Sequence, residues 1–413
     1  MDVLVDRCAG LDVHKNSITA CVRSWSSDRK RVSETRTFVA FEGALRELRD
    51  WLAAAEVTEV VMEATGVYWK PVWYTLEDGP FVLKLVNPQH VKAVSGRKTD
   101  VRDAAWLAKL CECGLLDASF VPPRPIRELR DVTRYRRRLV EDRGRELMRL
   151  QKLLEDAQVK LDSVVSDISG VTARLILDAL CAGERDPHVL AGMAQRRLKA
   201  KIPELRQAVP GRFNDHHAVL VTELLGHIDY LTTSITRLDA RVDELIVPFA
   251  AARDRLMTIP GIKRRNAEII IAETGVDMTC FPTPQQLASW AGVCPGNNES
   301  AGKHRSGKTR HGNPWLCSAL IEAAWSASRT RGTSMQARFW RIAKRRGTDR
   351  ACMAVAHHLL IVIWYLHTEQ ATYTELGADY FNDRRNDPER LKRYHIHQLE
   401  TLGLTVTIEP SAA

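Results

Sequence analysis

Val5-Asp-Arg-Cys-Ala-Gly-Leu-Asp12-Val-His-Lys15 runs mostly apolar, closes on an acid and then turns. Thr58-Glu-Val-Val-Met-Glu63-Ala-Thr-Gly66 repeats the design. Each reads as a buried strand with a carboxylate at its end. A third acidic stretch, Lys98-Thr-Asp100-Val-Arg-Asp103-Ala, opens a helical pattern. Its two aspartates are three apart, so both leave one helix face. Carboxylates at strand ends and on a neighbouring helix can converge into one oxygen-rich pocket. Such a pocket suits Mg²⁺, a hard cation that keeps waters or substrate phosphates as its remaining ligands. The chemistry it predicts is metal-assisted cleavage or transfer of a phosphodiester.

Working outward, residues 5–12, 17–25 and 31–40 read as a three-strand meander, followed by a helix over 42–55 with Leu45, Leu48, Trp51 and Leu52 on one side. Strand 58–64, helix 68–76, strand 81–86 and a helix from about 100 to 113 complete the segment. The order βββαβαβα matches the ribonuclease H-like (RuvC-like) fold, an α/β domain with acids on its first and fourth strands, here Asp12 and Glu63. This domain is expected over 1–125.

The region 126–250 reads as helical. Nine arginines crowd 127–149, and Arg134, Arg136, Arg137 and Arg138 are expected to meet nucleic-acid phosphates. Leu147, Leu150, Leu154, Ala157, Leu161 and Val164 form one coiled-coil seam, and Leu224 through Leu245 carry a second. Such helices can form a hairpin, pair with another copy, or simply pack on a core. Between them, 170–212 reads as a small helical insert. A mainly helical domain follows over 251–372. It opens on Thr258-Ile-Pro-Gly-Ile262, a turn that fits either a phosphate-facing helix–hairpin–helix or a plain connection. A Gly- and Asn-rich loop covers 292–313, and a charged tail covers 373–413.

Gly302-Lys-His-Arg-Ser-Gly307-Lys308-Thr309 fits the phosphate-binding loop pattern letter for letter. That loop must leave a buried strand and enter a helix; here Pro295-Gly-Asn-Asn precedes it and Arg310-His-Gly-Asn-Pro314 breaks any helix at once. No nucleoside triphosphate site is expected. Lys303, Arg305, Lys308 and Arg310, with two histidines among them, read instead as a loop that docks on a DNA backbone.

Composition agrees with such a partner. The 413 residues carry 60 Lys and Arg against 51 Asp and Glu, a net charge of +9, which favours a polyanion. The nine cysteines are scattered without a Cys-x-x-Cys pair; Cys111 and Cys113 are expected to be core packing, not a zinc site. No secretory h-region opens the chain, and the apolar helix Ala351–Leu366 is short and carries His357 and His358. A reduced, cytoplasmic protein follows, with no membrane partner.

The ordered set of motifs resembles the insertion-sequence transposases of the one-hundred-ten family, the DEDD transposases also described as bridge-RNA-guided recombinases. Gly-Leu-Asp12-Val-His-Lys, Glu63-Ala-Thr-Gly-Val-Tyr, Val-Asn-Pro88 and Lys-Thr-Asp100-Val-Arg-Asp103-Ala resemble its N-terminal motifs. Ile259-Pro-Gly-Ile, Leu287-Ala-Ser-Trp-Ala-Gly-Val-Cys-Pro, Glu299-Ser300 and Gly307-Lys308 with His311-Gly-Asn313 resemble its C-terminal ones. The family's Glu-Ser-Gly reads Glu-Ser-Ala here, with the glycine one place later. The resemblance implies Mg²⁺ on Asp12, Glu63, Asp100 and Asp103, and Ser300 as nucleophile on a DNA phosphate. It also implies a noncoding guide RNA and a homo-oligomer, dimer to tetramer, on double-stranded donor and target DNA. Two other classes fit parts of the pattern: a RuvC-like junction nuclease that hydrolyses without a covalent link, and a non-catalytic nucleic-acid-binding module. A covalent protein–DNA adduct separates the first reading from both.

Overall fold

A computed structural model of the chain describes residues 3–407 except 27, 29, 89–99, 297, 301–302, 307–308, 310 and 382–387. It divides into two units, Met1–Val121 and Pro122–Ala413.

The first unit is built on one mixed sheet. Strands β1 (Cys8–Val13), β2 (Ser17–Trp25) and β3 (Arg31–Val39) form the expected antiparallel meander, and β4 (Glu59–Glu63) and β5 (Val82–Val86) add on parallel to β1, giving the order β3-β2-β1-β4-β5. Parallel strands need crossovers, and α1 (Glu42–Ala54) and α2 (Trp69–Leu76) supply them. Alternation then sorts the side chains. Ala9, Leu11 and Val13 of β1 and Val60 and Met62 of β4 join Leu45, Leu48, Leu52, Val72 and Leu76 in one core. Cys8 and Val61 point to the opposite side and pack with Leu107, Leu110 and Cys111 of α3 (Asp100–Glu112). Cys111 is thus core packing, as its spacing suggested.

Gly10 decides how closely α3 approaches. A Cβ there would lie 2.3 Å from the Ala104 carbonyl oxygen and 2.4 Å from the Ala108 nitrogen. Only glycine lets the helix backbone lie on the strand. Residues 5–7, expected as strand, stand outside the ladder: the nitrogens of Leu4 and Val5 donate instead to the Glu112 carbonyl at 2.9 and 3.2 Å.

Glu112 ties the end of α3 to the meander. Its buried carboxylate accepts from Arg31 at 2.6 Å and from Arg23. Burial alone would raise this carboxyl, but the hydrogen bonds and charges of Arg31 and Arg23 outweigh it and hold the group below its ordinary value. A lowered folded value means the stabilisation is present above the unfolded value of about 4.3 and disappears as pH falls through the folded one. Acid unfolding of the first unit, followed by near-ultraviolet dichroism, should therefore shift to higher pH in Glu112→Gln, with little change of stability gap below the folded value.

In the second unit, α4 (Arg124–Asp156) packs along α8 (Asp215–Leu245) within one chain: Leu139 and Val140 meet Leu231, Ile235 and Leu238. The lower half of α4, with Leu150 and Leu154, instead joins a core built by the insert, where α5 (Val171–Cys181), α6 (Pro187–Gly192) and α7 (Ile202–Ala208) bury Ile176, Leu177, Leu190 and Leu205. Beyond lie α9 (Ala250–Met257), α10 (Arg264–Thr274), α11 (Pro284–Ala291), the two-stranded β6 (Asn298–Ser300) and β7 (Lys303–Ser306), α12 (Pro314–Arg329), α13 (Ser334–Arg346), α14 (Thr348–Thr368) and α15 (Pro388–Thr401). Among the described residues α14 is the one helix long and apolar enough to cross a membrane, and half of it is buried. Val355, Leu359, Leu360 and Ile363 show no exposed surface, as in the core helix of a folded unit.

Candidate functional site

Asp12 and Glu63 end neighbouring strands. Leu11 stands opposite Met62 in the parallel ladder, so the next residue on each strand brings Asp12 beside Glu63. Both have the parity of Cys8 and Val61 and therefore face the α3 side of the sheet. The helix runs antiparallel to β1: Glu112 meets Leu4, the Ala108 carbonyl accepts from the Cys8 thiol at 3.3 Å, and Ala104 covers Gly10. Continued by one turn, this pairing brings the start of α3, with Asp100 and Asp103, to the level of Asp12 and Glu63. Three elements thus direct the acidic motifs to one end of one face. His14, on the turn after β1, adds an imidazole: its Nε2 lies 3.1 Å from Asp12 Oδ2. In the motif this histidine stands two residues beyond the acid, and that spacing at a strand end is the local signal for the contact.

The donor set is all oxygen, which fits a hard divalent cation. Among the described residues no three His, Cys, Asp or Glu side chains close around a common point; the Asp100 side chain lies outside the described residues.

In the second unit, the loop expected over 292–313 contains a β-hairpin. Asn298 pairs with Ser306 and Glu299 with His304, and Ser300 ends β6 directly opposite Lys303. The strands are short and polar, so no apolar alternation announced them. Arg305 also lies on β7; Lys308 and Arg310 lie outside the described residues. The stretch that matched a phosphate-binding loop is strand over Lys303–Ser306, and the next helix begins only at Pro314.

The hairpin's root is well anchored. Pro295 bridges to Thr309. The Cys294 sulfur lies 3.6 Å from His357 Nδ1 on α14; burial first, then the charge of Arg338, pushes that imidazole below its ordinary value. Gly312 lies so close to the Ala291–Gly292 peptide that a Cβ would come within 2.4 Å of it. Asn313 caps α12 by accepting from the nitrogens of Trp315 and Leu316 at 3.1 and 3.2 Å, and its amide donates to Glu273 at 2.6 Å.

Glu273 is the hub of this unit. It is fully buried on α10, and both carboxylate oxygens accept from Arg134 at 2.7 Å while Arg130 stands at 3.5 Å. Arg130 also donates to the carbonyls of Ala272 and Glu273. Arg136 pairs with Asp239, and Arg137 with Glu141 and Glu322. Arg138 lies over the Trp315 ring at 5.5 Å. The helix read as a phosphate surface therefore engages Arg134, Arg136 and Arg137 with its own chain. Breaking a buried pair on one side costs roughly 3–5 kcal/mol. Glu273→Ala should accordingly lower the second unit's melting midpoint by several degrees in calorimetry and loosen the hairpin root through Asn313. A midpoint unchanged from wild type would mean that the hub carries no net stability.

Residues 9–158 match a family model described as Transposase, of the DEDD IS110 type, and residues 253–339 match Transposase IS116/IS110/IS902 family. An acid-bearing sheet unit followed by a helical unit is thus the organisation of a DNA transposase. The transposase for insertion sequence element IS1111A of Coxiella burnetii is 26% identical over 78% of this chain and 81% of its own. The putative transposase y4pF/y4sB of Sinorhizobium fredii is 30% identical over 29% of this chain and 32% of its own, and the pilin gene-inverting protein of Moraxella bovis 22% over 70% and 73%. The chain belongs to the IS110 family of insertion-sequence transposases.

Proposed function

We propose that this transposase cuts and rejoins donor and target DNA with Asp12, Glu63, Asp100 and Asp103 as a metal-binding set and Ser300 as the nucleophile. A noncoding RNA that pairs with both DNAs selects the sites. The observation that carries the reading is the shared face of Asp12, Glu63 and the first turn of α3. The sheet order supports a ribonuclease H-like domain over 1–125, joined by the helical pair over 126–250, as a coiled coil, to a serine domain over 251–372.

Mg²⁺, when bound, would polarise the phosphoryl oxygens of the scissile phosphate. The Ser300 hydroxyl attacks phosphorus, one phosphorus–deoxyribose oxygen bond breaks, and the departing oxygen takes up a proton as the serine loses one. The phosphoserine ester keeps the energy of the broken bond, so rejoining needs no nucleotide. A relative named for inverting a pilin gene supports this conservative route, because inversion requires each cut strand to be resealed. The basic residues Lys303, Arg305, Lys308 and Arg310 would hold the backbone beside the serine. Serving two half-sites would take a homo-oligomer, dimer to tetramer.

The test is reconstitution. Protein expressed together with its flanking DNA should co-purify with one discrete RNA. Nuclease-treated protein should lose recombination and regain it when that RNA and Mg²⁺ are returned. Full activity after RNA removal would end the guided reading.

A further inference from the structure

The insert between the two matched stretches carries charge that the rest of the chain does not neutralise. Residues 195–212 hold Arg196, Arg197, Lys199, Lys201, Arg206 and Arg212, six cations, against one acid, Glu204. All six are exposed. On α4, by contrast, Arg124, Arg134, Arg136, Arg137, Arg145 and Arg149 each face a carboxylate. None of the six insert cations has an ion pair among the described residues; Lys201 donates to the Val164 carbonyl at 3.0 Å. Unscreened like charges repel, so such a cluster costs stability until a polyanion meets it.

Local structure holds the cluster together. Arg196–Lys201 form a 3₁₀ segment that runs directly into α7, with Leu198 turned partly inward and the basic side chains left outside. Its start is fixed at α5, because the Gln195 nitrogen donates to Thr172 Oγ1 at 3.0 Å. Its far end is fixed at α4, because the Arg212 nitrogen donates to the Ala157 carbonyl at 2.7 Å. A cavity of about 440 Å³ opens beside Arg196, lined by Ser166, Gly170, Thr172 and Gln195. Asp167 also lines it, its Oδ1 accepting from the Ser169 nitrogen at 2.8 Å and hydroxyl at 2.6 Å, so one carboxylate stands among the cations. The one Phe, Tyr or Trp between 159 and 213, Phe213, is buried. A surface for single strands stacks bases on aromatic rings. This one offers cations and hydroxyls with no such ring, the chemistry that meets the outside of a double helix.

We infer that the insert is a docking surface for the sugar–phosphate backbone of a DNA duplex, the polyanion on which a transposase acts. The inference rests on the transposase reading but places this contact on a region that neither family model covers.

The experiment uses the full chain with Arg196→Gln, Arg197→Gln, Lys199→Gln and Arg206→Gln combined. Fluorescence anisotropy across a salt series is read with a DNA duplex, an RNA duplex and oligothymidine. With four phosphate contacts removed, the slope of log K against log salt should flatten by roughly 3.6, about 0.9 per contact, and affinity should fall about tenfold or more. The loss should fall on the DNA duplex. The melting midpoint should hold, since the four side chains are exposed and unpaired. A second variant with Arg196→Lys and Arg197→Lys, which keeps the charge, should keep the slope. An unchanged slope for the DNA duplex, or a loss confined to the RNA duplex or to oligothymidine, overturns the docking surface, while strand exchange by the wild type leaves the transposase reading intact. A wild type that binds none of the three probes overturns both.

Discussion

Ser300→Ala should bind DNA normally yet form no covalent protein–DNA adduct and no recombinant product. The serine ends β6 opposite Lys303, at the tip of a hairpin whose root is fixed by the Pro295–Thr309 bridge, the contact of Gly312 with Ala291 and the Asn313 cap. Loss of one hydroxyl at the tip leaves those anchors untouched, so folding and backbone contacts should survive. Chemistry should not, because no other group supplies the oxygen that becomes the phosphoserine ester. Two neighbouring hydroxyls serve as controls. Ser306 stands opposite Asn298 and Thr309 opposite Pro295, several residues back along the ribbon from Ser300, and Ser306→Ala and Thr309→Ala should retain the adduct. The assay is denaturing electrophoresis of labelled DNA with protein and Mg²⁺, then peptide mapping of the shifted band. An adduct on another residue would move the nucleophile. Metal-dependent cleavage with no adduct in the wild type would instead make the protein a hydrolytic nuclease.

How much of this could be read from sequence depends on the range of the interaction. The meander, the crossover helices and the acid-ended strands announce themselves through local alternation and period. Their observed bounds differ from expectation by a residue or two, apart from residues 5–7, where the Val5 nitrogen pairs with the Glu112 carbonyl and the ladder begins only at Cys8. The motif Gly10-Leu-Asp12 even encodes the approach of α3, though only the structure shows that the helix backbone occupies the missing Cβ. Long-range pairing is what stayed hidden. Arg134 and Glu273 stand 139 residues apart, and nothing local to either distinguishes an arginine that meets a buried carboxylate from one that meets a phosphate. Long-range pairing likewise hides the cations of 170–212, which stand out only beside those of α4 that meet carboxylates. The hairpin at 298–306 escaped because Lys-His-Arg-Ser carries no apolar face, so its strands are defined by register alone.

Neutralising the acids one at a time should abolish strand exchange without unfolding the protein. Asp12→Asn, Glu63→Gln, Asp100→Asn and Asp103→Asn each keep the side-chain shape and remove a charge and a ligand oxygen. Metal-assisted polarisation of a phosphate contributes several kcal/mol to its transition state, so each variant should lose at least about a hundredfold in recombination rate. Stability should move the other way. Asp12 and Glu63 end adjacent strands on one face, and like charges brought together by folding repel. Removing one should leave the melting midpoint unchanged or slightly raised in the metal-free protein. Asp12→Asn is the most informative of the set, since the carboxylate also meets His14 at 3.1 Å. If Asp12 served only that contact, Asn, whose amide oxygen can still accept from the imidazole, would preserve activity. If it serves a cation, Asn should fail while His14→Ala retains most of the rate. Isothermal titration with Mg²⁺ or Mn²⁺ gives an independent readout: each substitution should weaken binding whether or not DNA is present. Three of the four variants recombining at the wild-type rate would show that the acidic face is structural, and would return the chain to a role in holding nucleic acid without cutting it.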